Sequence, residues 1–183
     1  MSVIYLVRHG VTPANEQHLY CGSTDLELSQ QGIEALKGLS YSINPERIIT
    51  SGMVRTEQTL RVLFGEVEHE IDQRFREVDF GCFEMKSYEQ LKDLLSYQEW
   101  INGDNMKNVP PGGESGEEMT RRVMTAFREV ERTGVDTLIV THGGVIAAIL
   151  AELFPQEGKN RYQWQPKPGH GYALFDGKYR QIP

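Results

Sequence analysis

Cysteine is nearly absent from this chain: only Cys21 and Cys82 stand among 183 residues, without metal-ligand spacing. Two thiols build no disulfide framework, so a reducing, cytoplasmic compartment is expected and the core must hold the fold. Long apolar runs are missing too. None approaches the roughly 20 residues that cross a bilayer, and no basic segment with a cleavage site precedes the first strand. The expectation is a chain with no membrane partner and no export signal. Positive charge is in deficit: 19 Lys and Arg against 26 Asp and Glu give a formal net charge of −7. A general nucleic-acid binder needs a basic surface, so nucleic acid is not an expected partner, and any anion site is a local cationic pocket. There is no P-loop, no H-E-x-x-H and no metal-type Asp/Glu cluster, so neither a metal nor another cofactor is expected. Internal repeats and low-complexity tracts are also lacking. What is present, 39% hydrophobic residues over this length, suits one domain spanning 1–183 with a sizeable core.

The informative stretch is Ser2 to Asn15, SVIYLVRHGVTPAN. Val3 to Val7 is too short for a helix and rich in β-branched and aromatic residues, which predicts a buried strand. Arg8, His9 and Gly10 therefore fall at its carboxyl end, where open α/β sheets bind ligands. Arg8 offers a fork of donors suited to phosphate or carboxylate, His9 is a nucleophile or acid/base near working pH, and Gly10 allows close backbone approach. Taken alone, the pair reads equally well as a solvated edge or a satisfied core histidine.

The polar loop Val11 to Leu28, with His18, Tyr20, Gly22 and Asp25, is expected to wall the site. Ser29 can cap a helix running to about Ser40 with Ile33, Leu36 and Leu39 inward. Arg47 to Thr50 predicts a short strand and Met53 to Phe64 a helix with Met53, Leu60, Leu63 and Phe64 on one side. Arg55 lies in that helix's first turn, where free N–H groups and the helix dipole favour an anion. Its bland reading is a solvated arginine paired with Glu57 or Glu77. Val67 to Ile71 predicts a strand, and Phe75 to Phe83 an irregular stretch in which Glu77, flanked by Phe75, Val78 and Phe80, is either a partly desolvated general acid or an ordinary salt-bridge partner. Ser87 to Trp100 has helical character with Tyr88, Leu91, Leu94 and Leu95 on one face; with the Gly/Pro/Asn-rich loop that follows, it makes a lid-like insertion around 84–113. Ser115 and Glu118 form a capping box opening a structural helix to about Thr133, burying Met119, Val123, Phe127 and Val130. Asp136 to Val140 is a second apolar strand, ending in Thr141-His142-Gly143-Gly144 ahead of a buried helix to Leu153. Gly171 to Asp176 and Lys178 to Ile182 read as an edge hairpin. Two histidines and two arginines thus fall on strand ends or a helix start, places that a doubly wound sheet gathers along one rim.

Those residues resemble the histidine phosphatase superfamily, the phosphoglycerate-mutase-like fold, over nearly the whole chain. Arg8-His9-Gly10 with Thr12 and Asn15 is similar to its R-H-G-x-T-x-x-N opening, and Thr50 to Thr59 (TSGMVRTEQT) to its arginine block. Arg76-Glu77 with Phe80-Gly81 is similar to the acid-bearing block, Pro111 to Ser115 (PGGES) to a further loop, and Thr141 to Gly144 to the second-histidine block. Val11 and Pro13-Ala14 depart from the common pattern at non-catalytic positions. The resemblance implies a three-layer α/β fold, a doubly wound, mostly parallel sheet with helices on both faces. It implies His9 as the phosphorylated nucleophile, Arg8, Asn15, Arg55 and His142 around the phosphoryl oxygens, and Glu77 as the proton donor and acceptor. His9 must be neutral to attack, so activity is expected to fall on acidification.

The implied substrate is a small phosphomonoester. The chain lacks the longer insertions and tail of the cofactor-dependent mutases, which favours a phosphatase acting on alpha-ribazole 5'-phosphate or a sugar phosphate. A mutase and a non-catalytic phosphate- or phosphoprotein-binding module are the alternatives, the latter having no need of His9 and Glu77 together. Tyr20 and Gly22 are the substrate-contact candidates in the first loop; Phe83, Tyr88, Trp100 and Met106 are further ones in the insertion. Oligomeric state is not legible, because no exposed apolar stripe can be picked out without coordinates.

Overall fold

The computed structural model describes residues 2–104 and 106–183. Its described residues form a six-stranded sheet in the order β3-β2-β4-β1-β5-β6. The strands are β1 (Ile4–Arg8), β2 (Arg47–Thr50), β3 (Glu70–Ile71), β4 (Thr137–Thr141), β5 (Gly171–Phe175) and β6 (Lys178–Ile182). β1, β2, β3 and β4 run parallel; β5 and β6 are the antiparallel edge hairpin, turning at Asp176-Gly177. The strand expected over Val67 to Ile71 is reduced to Glu70–Ile71, both exposed at the sheet edge, while Val67 packs against the core from outside the ladder.

Alternation along the strands divides the core. Ile4, Leu6 and Ile139 face α6 (Gly116–Thr133) and α7 (Gly143–Leu153), whereas Val7, Leu138 and Val140 face α3 (Val54–Phe64) through Leu60, with Leu63 and Phe64 packed behind. The short helices α1 (Pro13–Glu16) and α2 (Gln30–Lys37) follow β1, and α2 packs on α3. Helices therefore cover both faces, as the three-layer expectation requires. α6 is amphipathic and buries the four residues its period selects; α7 is apolar nearly all round because the sheet, α6 and α8 (Arg161–Trp164) enclose it.

Register sets the rim. Arg8 pairs with Thr141 and Thr50 with Val140, so His9, Ser51 and His142, each the next residue after a parallel strand or its last pairing, leave the sheet at one level. Ser29 caps α2 as expected, but the helix stops at Lys37.

The segment expected as one helix from Ser87 is two: α4 (Tyr88–Leu91) and α5 (Leu95–Asn102). The chain turns at Leu94, which is extended and half exposed; Tyr88 and Leu95 are also exposed, contrary to the expected inner face. Aromatic packing decides this. The break lets Tyr97 and Trp100 reach Phe83 at centroid distances of 5.3 and 5.6 Å, and these with Leu91 form a separate small core that Tyr20 and Phe80 complete.

Candidate active site

His9 is buried at the end of β1, and its ring is fixed by the chain itself. Nδ1 lies 2.6 Å from the carbonyl of Gly10 and donates to it, which leaves the lone pair on Nε2. Burial, and next the guanidiniums of Arg55 and Arg8, hold its pKa well below the usual histidine value; the Gly10 bond opposes them. His142 lies edge-on to it, 5.2 Å between centroids, and is held down likewise by burial and by Arg55. Both rings are therefore neutral near pH 7.

Arg55 is only 1% exposed, not the solvated helix arginine of the bland reading. Its Nη1 and Nη2 donate to the carbonyls of Thr24 (2.8 Å) and Gly22 (2.7 Å), so the first loop is drawn over it. Its Nε donates to His142 Nδ1 at 3.3 Å. An arginine can only donate, so the neutral His142 carries its proton on Nε2 and gives it to Ser51 Oγ at 2.9 Å. Ser51 in turn meets Thr56 Oγ1 at 3.1 Å, and Thr56 donates to the carbonyl of Met53 at 2.7 Å. His142 therefore holds no free N–H for an oxyanion in this arrangement, a departure from the role expected of it. Nothing in the sequence singles out Ser51 and Thr56; only their neighbours' family pattern points to that block.

Arg8 donates from Nη1 to the carbonyl of Pro166 at 2.8 Å, while its buried Nε has no partner among the described residues. Asn15 is engaged at one end only: its Oδ1 accepts from Thr12 N and Thr12 Oγ1, both at 3.0 Å, in a capping box that fixes the amide. Glu77 sits on the start of α7, with Oε2 accepting the Gly144 N–H at 2.8 Å and Oε1 the Val78 N–H at 3.0 Å. Its surroundings are thus backbone donors as well as the flanking apolar residues. Arg122, on α6, holds the stretch that carries Glu77: all five of its N–H groups are used, on the carbonyls of Arg74, Arg76 and Glu77 and on both oxygens of Glu114. No sequence signal marks it, since an arginine in an amphipathic helix reads as solvated.

Beside Glu77 and Gly144 opens a cleft of about 470 Å³, walled by Tyr20, Phe80, Trp100, Met106 and Tyr162. Of the residues expected as substrate contacts, Tyr20, Trp100 and Met106 line this cleft. The other candidates do not: Phe83 is core beneath the cleft and Tyr88 points to solvent. Gly22 does not line it either. Its N–H donates to Glu84, its carbonyl accepts from Arg55, and a Cβ there would lie 1.7 Å from the carbonyl oxygen of Val78, so it is a packing glycine that sets the loop.

The family model for the histidine phosphatase superfamily (branch 1) matches residues 4–174. The chain belongs to that superfamily. It is 31% identical to the adenosylcobalamin/alpha-ribazole phosphatase of Salmonella typhimurium, over 93% of this chain and 89% of that protein. Among solved structures it is similar to the alpha-ribazole phosphatase of Shigella flexneri, with a TM-score of 0.83 and 27% identity over 98% of this chain and 95% of that one. It is also similar to a phosphoglycerate mutase of Thermus thermophilus, with a TM-score of 0.73 and 27% identity over 94% and 92%. No helix among the described residues is long and apolar enough to cross a membrane.

Proposed function

We propose that this chain is a phosphomonoesterase that works through a phosphohistidine at His9. The observation that carries the reading is the state of that ring: buried, neutral, with its attacking nitrogen bare and two guanidiniums beside it. Nε2 attacks phosphorus and the ester P–O bond breaks, while Glu77 in its acid form gives its proton to the leaving oxygen. The Glu77 carboxylate then takes a proton from water, the hydroxide displaces His9 from phosphorus, and inorganic phosphate leaves. Charge on the equatorial oxygens is met by Arg8, whose Nε is unpartnered among the described residues, by the remaining N–H groups of Arg55, and by the free amide end of Asn15. For His142 to meet those oxygens as well, Arg55 Nε must leave its Nδ1 and turn to the phosphate, whose negative charge then favours a proton on that nitrogen.

Substrates are small phosphorylated metabolites. The aromatic walls of the cleft favour a ring-bearing leaving group such as that of alpha-ribazole 5'-phosphate over a bare sugar, and the segment 84–113 serves as its cover. The test is phosphate release from a panel of phosphomonoesters, with chelator present and His9→Ala alongside. Release that survives chelation, disappears in His9→Ala and passes through an acid-labile phosphoenzyme supports the reading. Isomerisation of 3-phosphoglycerate without release would replace it with a mutase.

A further inference from the structure

The cleft is lined by two cations that the phosphoryl chemistry does not use, Arg161 and Lys159. Arg161 opens α8 and lines the cleft wall across from Glu77. It donates from Nη2 to Thr120 Oγ1 at 2.6 Å, and Thr120 in turn donates to the carbonyl of Gly116 at 2.7 Å. No carboxylate lies within 4 Å of it among the described residues; Glu77 and Glu152 face it only at longer range. Burial pulls its guanidinium below the ordinary value, which those two acids partly oppose. The contrast with Arg122 is informative. Arg122 uses all five N–H groups on protein acceptors, whereas Arg161 uses one among the described residues. The other cation on the cleft, Lys159, is already engaged by Tyr179 Oη at 2.9 Å and Glu157 at 3.2 Å and lies over the Trp164 ring.

Space around Arg161 is kept open by sequence. A Cβ at Gly116 would lie 2.9 Å from Met106 Sδ and 3.3 Å from Arg161 Nη1, so the glycine lets both side chains settle over the helix start. An under-coordinated, partly buried guanidinium costs solvation, and a planar fork of donors recovers it best from a carboxylate or phosphate.

We propose that Arg161 is a specificity-determining residue that binds a second anionic group, carboxylate or phosphate, carried by the leaving group of the substrate. This rests on the phosphomonoesterase reading but departs from the alpha-ribazole example, whose leaving group carries no second anion: the preferred substrate is an aromatic phosphomonoester with a second anion at the far end, the ring lying along Tyr20, Phe80 and Trp100.

The probes are phenyl phosphate against its ortho-, meta- and para-carboxylated forms, and a nucleoside 5'-monophosphate against the 3',5'-bisphosphate. At least one anionic member is expected to exceed its parent by tenfold or more in kcat/KM, carried by KM. The carboxylate and phosphate arms tell which anion the fork takes. Arg161→Gln is expected to bring that ratio to near one, and Arg161→Lys to leave part of it. No advantage for any anionic member, or an equal loss on parent and anionic substrate in Arg161→Gln, overturns the proposal. Absence of His9-dependent release from every probe would instead overturn the phosphomonoesterase reading, so the two failures are distinguishable.

Discussion

The carboxylate of Glu77 rests directly on the backbone of Gly144. Oε2 takes the Gly144 N–H at 2.8 Å, and a Cβ on Gly144 would come within 2.3 Å of Oε1. The neighbouring Gly143 does the same for Arg8, whose guanidinium lies 3.1 Å from the place of its missing Cβ. The glycine pair after His142 is thus a flat platform on which an acid and a cation are both laid against the start of α7.

Gly144→Ala is expected to separate activity from stability. An alanine in a helix is favoured over glycine by about 1 kcal/mol, so the folded state should hold, while the displaced carboxylate loses its position. A shift of the order of 1 Å in a reacting group can cost about 100-fold, and kcat is expected to fall by that order with the melting temperature maintained. Unchanged kcat would show that Glu77 does not need this seat.

Arg122 is expected to matter to both. Arg122→Met strands the carbonyls of Arg74, Arg76 and Glu77 and leaves Glu114 without its bidentate partner. Each buried unpaired group costs about 1–3 kcal/mol, reduced here because the pair is partly solvated. A loss of about 3 kcal/mol in urea unfolding is the expected sum. Arg122→Lys, which keeps charge and some bonds, should recover part of the stability and less of kcat, since the spacing of three carbonyls needs the fork. Equal recovery of the two would argue for a purely structural arginine.

Much of this was legible because it depends on local pattern. The apolar runs ending in Arg8-His9 and Thr141-His142 mark the parallel strands, and Ser115 with Glu118 marks the start of α6; both follow from burial period and capping. The break between α4 and α5 was not legible, since Leu91, Leu94 and Leu95 fit a helix by spacing and only the tertiary aromatic cluster of Phe83, Tyr97 and Trp100 breaks it. Nor were Ser51, Arg122 and Arg161, whose importance lies in partners 91, 48 and 41 positions away. Charge at a single position carries no sign of whether its donors end in water, on carbonyls or over a cleft.

Acid should destabilise the unliganded protein from about pH 6.5 downward. His9 and His142 have folded-state values held well below the ordinary one, so between those values and about 6.5 the unfolded chain binds protons that the folded chain refuses. Stability therefore rises with pH through that window and is lost as pH falls, by up to about 1.4 kcal/mol per histidine per pH unit. Urea unfolding between pH 7.5 and 5 checks this, with His142→Gln expected to flatten the slope. The same depression keeps His9 unprotonated at mildly acidic pH, so the acid limb of kcat/KM assigned to that ring should lie well below the ordinary histidine value. A limb centred at 6.5 or above would contradict the burial of the nucleophile.

The role of Glu77 can be separated from that of the arginines by varying the leaving group. A general acid matters in proportion to the basicity of the oxygen it protonates, and its removal typically costs about 10²–10⁴-fold where that oxygen is an alkoxide. 4-Nitrophenolate, stable as an anion near neutral pH, needs no such proton. Glu77→Gln keeps one oxygen for the Gly144 N–H but can neither give up a proton nor take one. Alkyl phosphates should therefore lose at least about 100-fold in kcat/KM, and 4-nitrophenyl phosphate far less in its burst of nitrophenolate release. The second step keeps its need for a base whatever the leaving group, so the variant should release nitrophenolate in a burst and then stall with phosphate still on His9. An equal loss on both substrate classes, with no burst, would place Glu77 in binding the phosphoryl group and not in moving the proton.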